Sequence, residues 1–207
     1  VQVLLGMVTA HYAVEGQGIY GLPFAEYFPY AVTRTWHTQL AILWIATAWL
    51  ATGLYVGPLL GGREPKFQVA GVWFLLISLV VIVAGSFIGE WSAVNRLIAD
   101  ATQNFWFGHQ GYEFLDLGRF WQIYLFIGLL LWVVLVLRGM WPALKRPETR
   151  SLLYLVIVAT VSIGLLFGAG LFYGQNTHIT IMEYWRWWVV HLWVEGVWEL
   201  IMGGILA

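Results

Sequence analysis

Apolar residues run along the chain in long blocks, with polar residues gathered in the stretches between them. Crossing a bilayer takes a helix about 20 apolar residues. Four blocks meet that length, at Ala31–Leu60, Val69–Glu90, Arg119–Met140 and Leu152–Tyr173. A fifth opens near Trp185 and runs to Ala207, and residues 1–12 read as the end of an earlier span. Gly and Pro mark the breaks, in "GPLLGGREPK", "RGMWPALKRPETR" and "FYGQNTH". The pattern predicts an all-α, polytopic transmembrane helix bundle lying in a lipid bilayer. All of residues 1–207 are expected to belong to one integral membrane domain. Many of the 14 Trp fall near predicted helix ends, where interfacial anchors sit.

Composition agrees. The chain is 60% hydrophobic and 10% charged, against roughly 25% charged residues in a soluble domain. A net charge of −1 gives no reason to expect a nucleic-acid partner. Cysteine is absent, which excludes disulfides and thiolate metal sites. Any metal must be held by His, carboxylate or backbone oxygen. The chain is already apolar at Val1 and closes within an apolar run, so it reads as a piece of a longer polypeptide.

Alternation of the spans sorts the charges. One side receives Arg63, Lys66, Arg138, Lys145, Arg146 and Arg150; the other receives four Arg among seven acids. The positive-inside rule places the first side in the cytoplasm. His37 and His191 then lie a few residues inside the outer ends of their spans, at similar depth. Each could bond a neighbouring helix or hold a cofactor.

The last block carries the most unusual chemistry. In "VVHLWVEGVWEL", His191, Glu195 and Glu199 follow one another at intervals of four. Four residues advance an α-helix by about 400° and about 6 Å, so the three share a stripe. A carboxylate at mid-bilayer costs roughly 2.5–3.5 kcal/mol. A bound cation offsets that, and so does protonation. His and Glu at i, i+4 can reach one metal ion, and mixed imidazole–carboxylate ligation leans toward iron over copper. Glu199, a further turn along, suits proton transfer or an outer position around the metal.

"HLWVEGVWEL", "AVTRTWHTQLAILWIATAWL" and "FGHQGYEFLDLGRFWQ" together resemble the catalytic subunit of the bacterial nitric oxide reductases, within the haem–copper oxidase superfamily. "AHYAVEGQG" is most similar to the quinol-dependent, single-chain branch. The resemblance covers the N-terminal part of the catalytic membrane domain. It implies a multi-pass enzyme of denitrification in the bacterial cytoplasmic (inner) membrane. Quinol would supply electrons through haem b to haem b3 and a non-haem iron, where two nitric oxide molecules become N2O and water. By the same resemblance, His37 is an axial ligand of haem b, His191 and Glu195 bind the non-haem iron, and Glu199 serves proton delivery. Glu113 would ligate calcium, and His11 and Glu15 would line the quinol pocket. Glu113 and Asp116 could equally be acids of a solvated loop, and His11 and Glu15 interfacial residues. The remaining ligands are expected beyond Ala207, in the rest of the polypeptide. His109 and His178 read as surface or loop-packing residues.

Two other functions fit parts of the pattern. A terminal oxygen reductase of the same superfamily would have a tyrosine, cross-linked to the metal histidine, where Glu195 stands. A proton-coupled transporter could use His191, Glu195 and Glu199 as a relay and would bind no haem.

Overall fold

A computed structural model describes residues 1–18, 21–110 and 117–206 of the chain. It is helical, with a single isolated bridge between His109 and Leu117 among the described residues. In order the helices are α1 (Gln2–Glu15), α2 (Phe24–Tyr27), α3 (Tyr30–Gly61), α4 (Gln68–Val94) and α5 (Ala101–Phe107), then α6 (Arg119–Met140), α7 (Arg150–Leu166), α8 (Ile179–Trp187) and α9 (Trp198–Leu206). A π-helical stretch, Trp188–Val197, joins α8 to α9. Short 3₁₀ turns follow α6 and α7.

Among the described residues, four helical runs are long and apolar enough to cross a membrane: Tyr30–Gly61, Gln68–Val94, Arg119–Lys145 and Arg150–Leu171. Lipid offers the backbone no hydrogen-bond partners, so a spanning segment must satisfy its own N–H and C=O groups, as a helix does. Apolar side chains such as Trp44, Trp73, Ile77, Val134 and Val158 stand exposed along these runs.

The chain divides into two compact units. The first takes Val1–Ala48 and Val80–Gln122; the second takes Trp49–Leu79 and Ile123–Ala207. In the first unit, aromatic side chains tie loops to helices. The Tyr12 hydroxyl donates to the Phe28 carbonyl at 2.9 Å, and the Trp91 indole to the Tyr27 carbonyl at 2.6 Å. Trp36 stacks on Phe87 at 5.0 Å. Gln39 donates at 2.5 Å to Glu90, which is 1% exposed. Asp100 caps α5 by accepting from the Gln103 N–H at 2.7 Å.

In the second unit, small residues let helices approach closely. A Cβ added at Gly61 would overlap the Gly139 carbonyl, and one at Gly57 would lie 3.1 Å from the Val136 carbonyl. Backbones that close gain packing energy which lipid tails cannot replace. Trp132 and Trp193, inside the spans rather than at their ends, are buried. Their indoles donate to the carbonyls of Leu50 at 2.9 Å and Ile163 at 2.7 Å. A buried indole N–H needs an acceptor, and a backbone carbonyl supplies it.

The last helix differs from its expected form. It begins at Ile179 rather than near Trp185, and it widens to π hydrogen bonding before returning to α. The widened segment holds four Val and Gly196 within ten residues. β-Branched residues and Gly are weak α-helix formers, so this stretch keeps α winding less firmly than a run of Leu or Ala would. The run expected to continue to Tyr173 leaves the α-helix at Leu166 and tightens into a 3₁₀ turn, Phe167–Leu171.

Candidate metal centre

In the second unit, one face of the final helix is spent on packing. Trp193, Val197, Trp198 and Ile201 are buried. Trp193 packs on Phe167 at 5.3 Å, and Trp198 lies edge-on to Trp49 at 5.6 Å. The polar residues take the other side. The His191 and Glu195 side chains are 41% and 62% exposed, and Glu199, in α9, is exposed. The fold therefore turns the unusual residues away from the chain's own core.

His191 and Glu195 meet, with Nδ1 and Oε2 at 2.6 Å. A carboxylate can only accept, so the imidazole donates from Nδ1 and keeps the Nε2 lone pair. The Trp187 ring stacks on His191 at 4.3 Å and restrains the plane of the imidazole. This is a donor set suited to a divalent ion: an oriented imidazole nitrogen beside a carboxylate. Among the described residues no group of three or more His, Cys, Asp or Glu gathers closely enough to hold a metal.

His37, in the first unit, is held differently. Its Nδ1 lies 2.9 Å from the Gln2 carbonyl oxygen and 3.2 Å from the Gln2 side-chain amide. A carbonyl only accepts, so with the shorter contact made the neutral ring carries its proton on Nδ1 and keeps a lone pair on Nε2, and the amide NH2, itself a donor, makes no hydrogen bond to Nδ1. The ring fits against Gly6 of α1, where an added Cβ would come within 2.6 Å of it. Hydrogen bonding of one ring nitrogen to a carbonyl is how ligating histidines are commonly oriented. The side chain accordingly suits an axial position on a haem.

The other candidate residues lie elsewhere in the structure. His11 and Glu15 lie one turn apart on α1, with Nδ1 and Oε2 at 3.3 Å, both partly exposed. Glu113 and Asp116 lie outside the described residues. His109 is buried at the start of the loop bridged to Leu117, and burial lowers its pKa from the ordinary value for histidine. His178 caps α8, its Nδ1 accepting from the Thr180 N–H at 3.3 Å.

Sequence reasoning missed the supports. Gln2 and Gly6 carry no local mark of a contact with His37, beyond the hint of a small residue inside an apolar helix. Arg186, counted among outer loop charges, is buried and paired with Glu183 at 2.6 Å. Arg119 is also buried, donating to Gln110 at 2.9 Å and lying 5.3 Å over the Phe105 ring.

Comparison with known proteins bears on this arrangement. A family model described as cytochrome c and quinol oxidase polypeptide I matches residues 1–207. The chain belongs to that family. Its fold is the all-α, membrane-spanning helical architecture of the haem–copper oxidases. The chain is also 29% identical over 209 residues to a nitric oxide reductase polypeptide from Stutzerimonas stutzeri. That alignment takes in 100% of this chain and 41% of the relative. The chain thus spans under half of that relative's length.

Proposed function

We propose that this chain is the N-terminal part of the catalytic membrane domain of a quinol-fed nitric oxide reductase in a bacterial cytoplasmic membrane. The contact between His191 and Glu195 carries the reading, because an oxygen reductase of this family would have a tyrosine at position 195. The identity to a nitric oxide reductase polypeptide over the whole chain supports it.

The reaction takes two nitric oxide molecules, two electrons and two protons to one N2O and one water. Haem b, haem b3 and a non-haem iron, once bound, supply the electron transfer and the binding of nitric oxide. The residues of this chain do the rest. His37, with Nδ1 committed to Gln2, presents Nε2 to haem b. His191 presents its own Nε2 to the non-haem iron. Glu195 has a second carboxylate oxygen to offer the same ion and adds negative charge, which favours the ferric over the ferrous ion. Charge neutralisation by iron also removes the cost of a carboxylate held in the membrane. Glu199, one turn further along in α9, carries protons toward the site. His11 and Glu15 contact the quinol head group and take up the protons it releases on oxidation. Glu113 would contribute a carboxylate oxygen to a calcium ion.

Elemental analysis and a visible spectrum of the full-length protein test the proposal together. We expect two haems b per chain, one further iron and no copper, with nitric oxide consumed when quinol is supplied. Stoichiometric copper would return the protein to the oxygen reductases, and absence of haem would favour a proton-coupled carrier.

A further inference from the structure

The loop between α3 and α4 and the end of α6 enclose a groove of about 730 Å³ in the second unit. The function proposed above makes no use of it. Its volume falls within the range of small-molecule sites, roughly 300–1,000 Å³. Three cations line it, Arg63, Lys66 and Arg138, against one carboxylate, Glu64. All four side chains are exposed. Arg138 donates from one terminal nitrogen to the Lys66 carbonyl at 2.6 Å, which fastens the guanidinium over the loop. That bond uses one of five guanidinium donors.

The groove has an order along the helix axis. The cations lie at the loop and at the last turn of α6. Leu137 directly precedes Arg138, and Val134, about one turn further into the span, is 50% exposed; both line the groove. Trp141, just past the end of α6, also lines the groove and is 66% exposed. An indole with an apolar body and a polar N–H favours the boundary between hydrocarbon and headgroups. Positive charge at the loop and helix end, with aliphatic surface continuing into the span, thus matches the phosphate and acyl chain of a membrane lipid. Free phosphate would use the cations and leave the aliphatic wall uncovered. The same loop lies on the side with most of the basic residues, where cytoplasmic-leaflet anionic lipids are attracted by about 1 kcal/mol per Lys or Arg.

We propose that this groove binds one anionic glycerophospholipid. Its phosphate rests among Arg63, Lys66 and Arg138, and the first part of an acyl chain lies on Val134 and Leu137. The lipid would bridge the α3–α4 loop to the end of α6 and hold the two together at the membrane surface.

The test uses full-length protein, stripped of lipid in detergent and titrated with phosphatidylglycerol or phosphatidylcholine. Native mass spectrometry counts the lipids retained. One phosphatidylglycerol per chain should survive activation that removes phosphatidylcholine, and millimolar inorganic phosphate should not displace it. The Arg63→Gln/Lys66→Gln double variant should weaken that retention about thirtyfold, the factor two surface cations contribute toward an anionic headgroup. Arg63→Lys/Lys66→Arg should restore it. Val134→Trp, which fills the aliphatic wall and leaves the cations in place, should lose it too. Unchanged melting temperature and elution volume identify variants that still fold. Equal retention of both lipids, loss to inorganic phosphate, retention by the double variant, or no lipid on the wild type would each overturn the proposal. The last result would mean that another part of the polypeptide covers the groove.

Discussion

His37 and His191 are both imidazoles with Nδ1 engaged and Nε2 left to bind, yet the chain prepares them differently. His37 is braced from a separate helix, by the Gln2 carbonyl and by the surface of α1 at Gly6. Its orientation is built by this chain, through packing between residues 35 positions apart. His191 takes its polar and stacking contacts, Glu195 and Trp187, from its own stretch of helix. Its polar side faces outward, half exposed. One ring is held by contacts from another helix, and the other only by its own stretch of helix. In a cofactor enzyme the protein supplies orientation and electrostatics while the cofactor supplies the reactive chemistry. In the proposed reading, orientation is complete at His37 and left to further residues at His191.

The largest effect should come from removing the carboxylate beside the less supported histidine. Glu195→Ala in the full-length protein should lower nitric oxide turnover by more than about 100-fold, beyond the 10–100-fold typical of losing a group behind a ligand. The iron-to-haem ratio should fall with it. Glu195→Gln should keep part of the iron and lose most of the activity. Wild-type iron content in Glu195→Ala would remove Glu195 from the ligand set.

The second test attacks the brace. Gly6→Leu drives a side chain into the His37 ring, an overpacking that costs about 1–3 kcal/mol. It should shift or weaken the low-spin haem absorption and slow quinol-driven turnover about tenfold, without touching the iron ratio that Glu195 controls. His37→Ala sets the limiting case, with the low-spin signal gone. If Gly6→Leu leaves the spectrum unchanged, α1 does not brace this histidine in the assembled enzyme.

A smaller effect separates the two acids of the final helix. Glu199→Ala should keep iron near the wild-type ratio and slow turnover about tenfold, at the low end of what a proton-transferring group contributes. Restoration of rate by added small weak acids would mark a proton route. Loss of iron instead would give Glu199 the role assigned here to Glu195.

The smallest effect concerns α1 alone. Glu15→Ala should slow turnover severalfold with quinol and leave turnover from an artificial donor intact. Equal slowing with both donors would assign Glu15 to the structure of α1 rather than to the quinol.

Much of the architecture was legible because lipid imposes a simple rule. A block of about 20 apolar residues has few alternatives to a spanning helix. The unusual residues of the final helix stood out for a similar reason, since an acid in an apolar run is costly enough to need a cause. What sequence could not supply was support from a distance. Nothing local to Gln2 announces that its carbonyl holds His37. Nothing local to Trp132 or Trp193 says that they turn inward to backbone carbonyls rather than outward to lipid. The period of the last helix was also hidden, because reading spacings of four as one stripe assumes α winding throughout. The residues from Trp188 to Val197 do not keep it.

That widened stretch leaves the chain with more residues than an α-helix of the same number of turns would need. Deleting a single residue there, Gly196 for instance, would let the backbone bond as an α-helix from α8 into α9. An α-helix makes the same number of turns with one residue fewer, so α8 and α9 would keep their facing and Trp198 would stay in the core. The π segment therefore takes up an extra residue locally, without turning one half of the helix against the other.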